Sequence, residues 1–278
     1  MRPDKYIQTE QFLHNMARIL GAIGQAYLPA EPDFSHTNMN WKEQQNLLQT
    51  RDIPIPGGAG ILLSFHPHEL HFHITCTHLQ KNDIVITKGN ALSFVLGRIA
   101  QALKAYGLDS QAFQSGLQYR FPQWNDVDGR LLQPEKQYLK RFEQLRSGAN
   151  KQLKDFLEQN RLSSEVRIWP GNFDTGIYCR HDSRIEQYAG YAPADQEAYS
   201  RPYYYNSFLV NRKRIIPHHF PRLQHTYWET QKWGGAILPS DAFRSWEDFL
   251  NAAPVFLQQT SDTFLKEIKN RKLEKSRR

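Results

Sequence analysis

The sequence has no long apolar run and only two cysteines, and both absences restrict the class of protein. No stretch approaches the roughly 18 uncharged apolar residues of a membrane span, and the segment MRPDKYIQTEQF lacks the apolar core of a signal peptide. Cys76 and Cys179 have no CxxC spacing and are too few for a disulfide framework. We therefore predict a soluble, cytoplasmic protein with two buried thiols and no membrane partner.

The common catalytic and nucleotide-binding motifs are also absent. The chain has no GxxxxGK[ST] phosphate loop and no GxGxxG, HExxH or GxSxG motif. The glycine pair in PGGAG precedes a β-rich segment rather than a helix, unlike a phosphate-binding loop. The sequence therefore gives no evident cofactor and does not say whether the protein is an enzyme.

The positive charge is concentrated at the C-terminal end. The last thirteen residues, KEIKNRKLEKSRR, carry seven basic and two acidic side chains, so they supply +5 of the net charge of +7. A basic tail over 269–278 is typical of a contact with RNA, DNA or an acidic partner, because Lys and Arg neutralise phosphates. The alternative is a solvated helix end whose cations suit the negative end of the helix dipole.

Apolar periodicity in residues 1–120 predicts a first α+β half. Apolar residues at steps of three and four predict a helix over 7–27. Short β-rich runs between about 46 and 87 are separated by turns, which favours an antiparallel meander. A helix then follows with Asn90 as its N-cap and Gly107 after its end.

Residues 121–268 predict a second half of the same kind. A long helix begins at Pro134 and is followed by two strands hinged at Pro-Gly-Asn, more strands near 203–210 and 223–238, and a last helix interrupted at Pro254. Residues 108–133 are polar, aromatic and aperiodic and mark the boundary between the halves, with PQWNDVDGR at 122–130 as an exposed loop. The prediction is an α+β protein with two helix-flanked, mainly antiparallel sheet halves, whose shared element order suggests a pseudo-duplicated arrangement.

Four segments carry a resemblance to a known family. They are IPIPGGAGILLSFHPHELHFHI at 53–74, WPGNFD at 169–174, AYS at 198–200 and ILPSDAFR at 237–244. In this order the chain resembles the bacterial family of uncharacterised proteins called domain of unknown function 5996, from the first helix to about residue 268. After AYS the family tends to continue into a Gly-rich Phe-Trp-Pro-Gly segment, whereas this chain has RPYYYNSF. The resemblance implies architecture and no activity.

Five histidines within thirteen residues form the first candidate site, in HPHELHFHITCTH. His71 and His73 are two residues apart on a predicted strand, so their imidazoles share a face, as two ligands of a zinc or iron site must. His66 from the paired strand, Glu69 from the turn or a distant residue would supply the third ligand, which makes a divalent metal a candidate cofactor. The alternative places these histidines on the wet face of a hairpin.

Two further candidates lie in the second half. Asp174, with Arg180 downstream, has the groups to bind an anion or shuttle a proton, and the alternative is a set of surface ion pairs. The aromatic segment 203–233 with the basic run NRKR at 211–214 suits a nucleic acid or a sugar phosphate, and the alternative is sheet packing. The candidate ligand-binding residues are Trp169, Asp174, Arg180, Tyr204, His218 and Trp233.

Together these features favour a ligand-binding or regulatory protein with an aromatic and basic pocket in its C-terminal half, taking a small molecule or an anion. One alternative is a metal-dependent or acid/base enzyme that uses the hairpin His66–His73 or the pair Asp174 and Arg180. Another is a nucleic-acid partner protein that binds through the basic tail. Nothing in the pattern indicates an oligomeric state.

Overall fold

A computed structural model describes residues 5–76, 78, 81–116, 133–195 and 198–276, with side chains at 116 and 271–276 left out. The chain divides into two compact units. We call Met1–Gln144 with Arg167–Phe173 the N-terminal unit, and Leu145–Val166 with Asp174–Arg278 the C-terminal unit. The predicted α+β class is confirmed, since both units combine helices with antiparallel strands.

The described helices are α1 (Lys5–Tyr27), α2 (Leu92–Ala105), α3 (Ser110–Gly116), α4 (Lys136–Gln159) and α5 (Trp246–Ser276). The first six strands are β1 (Asn40–Lys42), β2 (Leu47–Gln49), β3 (Ile53–Pro54), β4 (Gly60–His66), β5 (His71–Cys76) and β6 (Lys81–Ile86). The other seven are β7 (Arg167–Trp169), β8 (Asp174–Arg180), β9 (Ile185–Ala192), β10 (Tyr203–Val210), β11 (Lys213–Arg214), β12 (Tyr227–Glu229) and β13 (Gly235–Pro239).

The sheet of the N-terminal unit confirms the predicted antiparallel meander. Its strands run in the order β1-β2-β4-β5-β6, and β3 pairs with β4. Along β5, Phe72 and Ile74 are buried in the core, while His71 and His73 alternate onto the opposite face. The strand period of two therefore places the imidazoles of β5 on the outer side of the sheet.

The C-terminal end of α2 agrees with the prediction, but its N-terminal end does not. The N-cap position is Ala91, not Asn90, and Ala91 has no side chain able to cap; the Asn90 side chain instead donates to the Ile86 carbonyl oxygen at 3.0 Å. At the other end Gly107 has φ of +82°, and the Leu108 N–H reaches the Leu103 carbonyl oxygen at 3.1 Å. This is the Schellman pattern that a C′ glycine permits.

The connection between the halves contains a helix that was not predicted from the sequence. Residues 110–116 form α3 in an aperiodic segment, and the predicted loop PQWNDVDGR at 122–130 lies outside the described residues. The contact-based division falls after Gln144, inside α4, and residues 167–173 belong to the N-terminal unit. The prediction near residue 120 followed composition, whereas α4 contributes packing residues to both units along its length.

In the C-terminal unit one face of the sheet packs against α5. Its strands run in the order β12-β13-β10-β9-β8, and β11 pairs with β10. Phe208 of β10 stacks on Phe264 of α5, with ring centroids 4.9 Å apart. The side chain of Asn206, fully buried, donates to Thr260 at 2.8 Å and Ser261 at 2.9 Å, so its amide hydrogens have partners in the core.

The last helix runs as one element through Pro254, an exposed position, rather than stopping and restarting there. It continues to Ser276 and so includes most of the basic tail as helix. Within the described ranges, no helix has both the length and the apolar character needed to cross a membrane.

Candidate functional site

The alternation of side chains along β10 separates its three consecutive tyrosines. Tyr204 points towards α5, where it is fully buried, lies 5.2 Å from the ring of Phe249 and donates its hydroxyl to Gln152. Tyr203 and Tyr205 point to the other face. Tyr204, predicted as a ligand residue, is therefore a core residue, and its neighbours face the candidate site.

Three tyrosines on this side each donate a hydroxyl hydrogen bond to an aspartate. The pairs are Tyr199 with Asp241 (3.0 Å), Tyr203 with Asp195 (2.7 Å) and Tyr205 with Asp174. The ring of Trp233 lies beside Tyr205. We call these four aromatic residues and three aspartates the aromatic–carboxylate cluster.

Neighbouring rings of the cluster are inclined to one another at 58° to 90°. Ring centroids are 6.3 Å apart between Tyr199 and Tyr203, 6.4 Å between Tyr203 and Tyr205, and 6.5 Å between Tyr205 and Trp233. The planes of the last pair are perpendicular, at 90°. This arrangement presents the negatively polarised faces of several rings in different directions.

Glycines on the sheet give the rings room to lie flat. Gly176 and Gly190 pair with each other, and Gly190 pairs with Tyr205. A Cβ at Gly176 would lie only 2.6 Å from the Tyr205 hydroxyl, and a Cβ at Gly235 would overlap the ring of Trp233. The Tyr205 side chain therefore lies across the glycine backbone of the neighbouring strands and reaches Asp174, the first residue of β8.

Asp174 is almost completely buried, with 8% of its surface exposed, and burial raises the pKa of its carboxyl group to about 6. The Tyr205 hydrogen bond and the positive charge of Arg146 oppose that rise, whereas the charge of Asp195 adds to it. The pKa of Tyr205 is raised well above its usual value, mainly by burial. The proton therefore stays on the phenol, and Asp174 changes charge close to neutral pH.

A separate carboxylate holds the turn that carries Trp233. Glu229 accepts backbone N–H groups of residues 231–234 at 2.7 to 2.9 Å. Burial alone would raise the pKa of Glu229, but these four donors outweigh it and lower the pKa to about 2. Within the described residues, the buried Nε1 of Trp233 has no hydrogen-bond partner.

The remaining predicted ligand residues do not join the cluster. Arg180 is six residues from Asp174 along β8, roughly 20 Å at the usual strand rise, and it donates to the Tyr178 hydroxyl at 2.9 Å. His218 is exposed in an irregular segment, and Trp169 belongs to the N-terminal unit. The basic run 211–214 is exposed at the opposite end of β10 from Tyr203.

The basic residues predicted for the pocket, Arg180 and the run 211–214, therefore do not join the aromatic residues, whose hydroxyls bind carboxylates instead. Tyr205 belongs to the predicted aromatic segment, whereas Tyr199, Asp195 and Asp241 were not predicted from the sequence. The alternation of side chains along a strand predicts that Tyr204 and Tyr205 face opposite sides of the sheet. It does not say which of the two faces the core. No local signal links Asp241 to Tyr199, since 42 residues separate them.

The histidine hairpin in the N-terminal unit forms as predicted. His66 and His71 are directly opposite each other in the β4–β5 register, and their rings stack with centroids 4.6 Å apart. The His73 ring lies 6.0 Å from that of His66 and 6.4 Å from that of His71. The three predicted metal-ligand histidines therefore share one face of the sheet.

The tightest group of possible ligand atoms includes a carboxylate in place of His73. One ligand atom each from His66, Glu69 and His71 lies within 4.8 Å of the others. Glu69 Oε2 is 3.3 Å from Nδ1 of His71. Burial lowers the pKa of both His66 and His71, so these imidazoles are mainly neutral at pH 7 and have lone pairs available.

The other two histidines of the segment lie apart from this group. Nε2 of His68 lies 2.5 Å from a carboxylate oxygen of Glu143, and His78 is exposed. The nucleic-acid alternative stays a prediction, because side chains beyond residue 270 lie outside the described part of the chain.

Comparisons with protein-family models, curated proteins and solved structures find no match, so the resemblance to domain of unknown function 5996 also stays a prediction.

Proposed function

We propose that the protein is a ligand-binding or regulatory protein whose C-terminal unit binds a small cationic molecule at the aromatic–carboxylate cluster. The observation that carries the proposal is the pairing of three tyrosine hydroxyls with three aspartates next to Trp233. Aromatic faces attract cations, and the attraction reaches about 2 kcal/mol where the cation is desolvated. A phenol that donates to a carboxylate is also more electron-rich than a free one.

The sign of the charge favours a cation over the anion expected from the sequence. Three aspartates belong to the cluster, and among the described residues Arg146 acts on Asp174 and Arg201 acts on Tyr199. With all three aspartates ionised, these groups sum to one net negative charge. Arg146 is fully buried and donates to Thr175, which faces the other side of the sheet.

Partial exposure distinguishes the cluster from ordinary core packing. Tyr204, which serves the core, is fully buried, whereas Tyr199, Tyr205 and Trp233 remain partly exposed. Asp195 is also partly exposed. Asp241 is exposed, so a small ligand can reach the ring faces and two of the three carboxylates from solvent.

The proposal is tested with choline and its uncharged tert-butyl analogue, which has the same shape. Isothermal titration calorimetry and tryptophan fluorescence should detect choline binding that is at least about tenfold tighter than binding of the analogue, because a cation–π contact and one charge pair contribute over 1 kcal/mol. Equal binding of the two probes, or preferential binding of inorganic phosphate, would refute a cation site.

Variants assign the binding to the cluster. Asp195→Asn removes one accessible charge and should weaken choline binding at least about fivefold, in keeping with the energy of a partly exposed charge pair. Asp262→Asn removes an exposed carboxylate on α5, outside the cluster, and should leave binding unchanged. Equal losses in the two variants would mean that choline responds to the overall charge of the protein.

A cytoplasmic location remains part of the proposal. Cys76 and Cys179 are both free and buried, which is typical of proteins from a reducing compartment.

A further inference from the structure

We infer that the β4–β5 hairpin of the N-terminal unit is a binding site for one divalent transition-metal ion, held by His66, Glu69 and His71. The inference is independent of the proposed cation site, since it uses different residues in the other unit. Its basis is the grouping of three donor atoms within 4.8 Å of one another.

The hairpin register brings the donors together. Four residues, 67–70, connect β4 to β5, and Leu70 has φ of +52° while its N–H bonds to the His66 carbonyl oxygen at 2.8 Å. This closes the turn directly beneath the paired residues His66 and His71. Glu69 projects from the same turn and is largely exposed, so its carboxylate is free to rotate towards the imidazoles.

The distances suit an ion after a small adjustment. Metal–ligand bonds of about 2.0 to 2.2 Å place tetrahedral donors roughly 3.4 Å apart. Glu69 and His71 already meet that separation, at 3.3 Å between Oε2 and Nδ1. All three donor atoms lie within 4.8 Å of one another, so the widest pair would have to approach by at most about 1.4 Å to reach that separation.

An unsatisfied polar atom supports the assignment. Across the described residues, Nε2 of His66 is buried and has no hydrogen-bond partner. A buried polar nitrogen without a partner costs about 1 to 3 kcal/mol. Coordination of an ion by this nitrogen would remove that cost.

The donor set indicates the class of ion. Two imidazoles and one carboxylate suit zinc and the neighbouring divalent transition metals, whereas Mg²⁺ and Ca²⁺ prefer oxygen ligands throughout. Three protein ligands leave a coordination position for water or another molecule. Exposed Ile86, opposite His71 in the register, borders the site with apolar surface.

His73 provides the competing ligand set. Its ring is close to both other histidines, and a site of three histidines would leave Glu69 as a hydrogen-bond acceptor for His71 rather than a ligand. The two arrangements predict different losses. Removing Glu69 should weaken binding most in the first, and removing His73 should weaken it most in the second.

The test uses the full chain, purified without an affinity tag or nickel column and treated with a chelator. Titration with Zn²⁺ should give one ion per chain, and Co²⁺ should give the visible absorption of a four- or five-coordinate site. Ca²⁺ and Mg²⁺ should show no binding at the same concentrations. Less than one Zn²⁺ per chain in wild-type protein would overturn the inference.

Variants identify the ligands. His71→Ala and Glu69→Gln should each weaken Zn²⁺ binding by more than about 100-fold, since even outer-sphere partners contribute 10- to 100-fold. His78→Ala, an exposed histidine of the same segment, should bind as wild type does. His73→Ala should lose less than about threefold; a loss there equal to that of His71→Ala, with Glu69→Gln mild, would overturn the assignment of Glu69.

Folding of each variant is checked by circular dichroism and by its unfolding midpoint in urea. Glu69 is exposed, so Glu69→Gln tests the inference even if a histidine variant fails to fold. Wild-type affinity in a folded Glu69→Gln variant would contradict the proposed ligand set. Choline binding at the C-terminal unit serves as a second readout and should be unaffected by all four substitutions.

Discussion

Two buried carboxyl groups of the C-terminal unit, Glu229 and Asp174, have pKa values shifted in opposite directions. Both are less than a tenth exposed. Glu229 accepts four backbone N–H groups, and its pKa falls to about 2. Asp174 accepts the Tyr205 hydroxyl, and its pKa rises to about 6. Burial raises the pKa in both cases, but it is much deeper around the Asp174 carboxyl group, whereas the four N–H donors of Glu229 outweigh a smaller burial penalty.

Glu229 has a structural role, whereas the carboxylate of Asp174 is available to a ligand. Glu229 has both oxygens engaged by the turn that carries Trp233, so it stabilises the loop and has little capacity for a ligand. The ionised carboxylate of Asp174 is buried and poorly solvated. A cation next to it would therefore lower its pKa and gain binding energy. The proposed cation site therefore contains a carboxylate whose charge is still poorly compensated.

The largest effect is expected for Glu229→Gln. The substitution keeps one acceptor oxygen but removes the charge and half of the acceptor capacity, and it should destabilise the protein by about 3 kcal/mol at pH 7, as charge-assisted hydrogen bonds to a buried group contribute 1.5 to 3 kcal/mol. Urea unfolding measures the change. Glu247→Gln, an exposed position in α5, is the control and should change stability by less than about 0.5 kcal/mol.

The direction in which stability changes at acid pH is a second test of the role of Glu229. The folded pKa of Glu229 lies below the unfolded value of 4.5, so its contribution is present above pH 4.5 and is lost as the pH falls towards 2. Glu229→Gln should lack this loss. If wild type and Glu229→Gln lose stability in parallel over that range, the four N–H bonds are not the source of the shift.

A smaller effect of opposite sign is expected from Asp174. Its folded pKa is raised, so the folded state binds the proton more tightly, and stability from this group is greatest at low pH and declines as the pH rises through about 6. Between pH 4.5 and 7.5, wild type should lose about 2 kcal/mol relative to Asp174→Asn, because each tenfold change in proton affinity is worth 1.36 kcal/mol. Urea unfolding at several pH values gives the comparison.

Asp155→Asn provides the matched control, since Asp155 is partly exposed and its carboxylate pairs with Lys151 on the helix surface. That variant should follow the wild-type pH dependence. A pH profile of Asp174→Asn identical to wild type would contradict the shifted pKa and would remove the uncompensated charge from the proposed site.

Local patterns in the sequence predicted the histidine hairpin, because its residues are neighbours in the chain. A turn of four residues fixes the register, so the pairing of His66 with His71 followed from the positions of the turn residues. The hinge at 170–172 and the C′ role of Gly107 were predictable for the same reason. In each case the determining interactions span fewer than about ten residues.

The aromatic–carboxylate cluster was not predictable in this way. Asp174, Asp195 and Asp241 come from three separate segments, and only the strand order β13-β10-β9-β8 brings them near β10. Periodicity separates Tyr204 from Tyr205, but the choice of the buried face depends on where α5 packs. The pKa shifts depend on donors from distant segments as well, so composition alone did not reveal the three carboxylates that accept the tyrosine hydroxyls.

The smallest effect is expected for Tyr205→Phe, which isolates the single donor to Asp174. Loss of that hydrogen bond removes a contribution that lowers the pKa of Asp174, so the pKa should rise above 6. Stability should fall by about 1 kcal/mol at pH 7, the usual net value of one hydrogen bond. The measurement is the midpoint of the pH-dependent change in urea stability, which should move to higher pH in Tyr205→Phe and stay in place in Tyr227→Phe, an exposed tyrosine of β12. An unmoved midpoint in Tyr205→Phe would mean that the Tyr205 hydroxyl does not contribute to the pKa of Asp174, and the difference between Asp174 and Glu229 would then follow from their different burial and from the four N–H donors of Glu229.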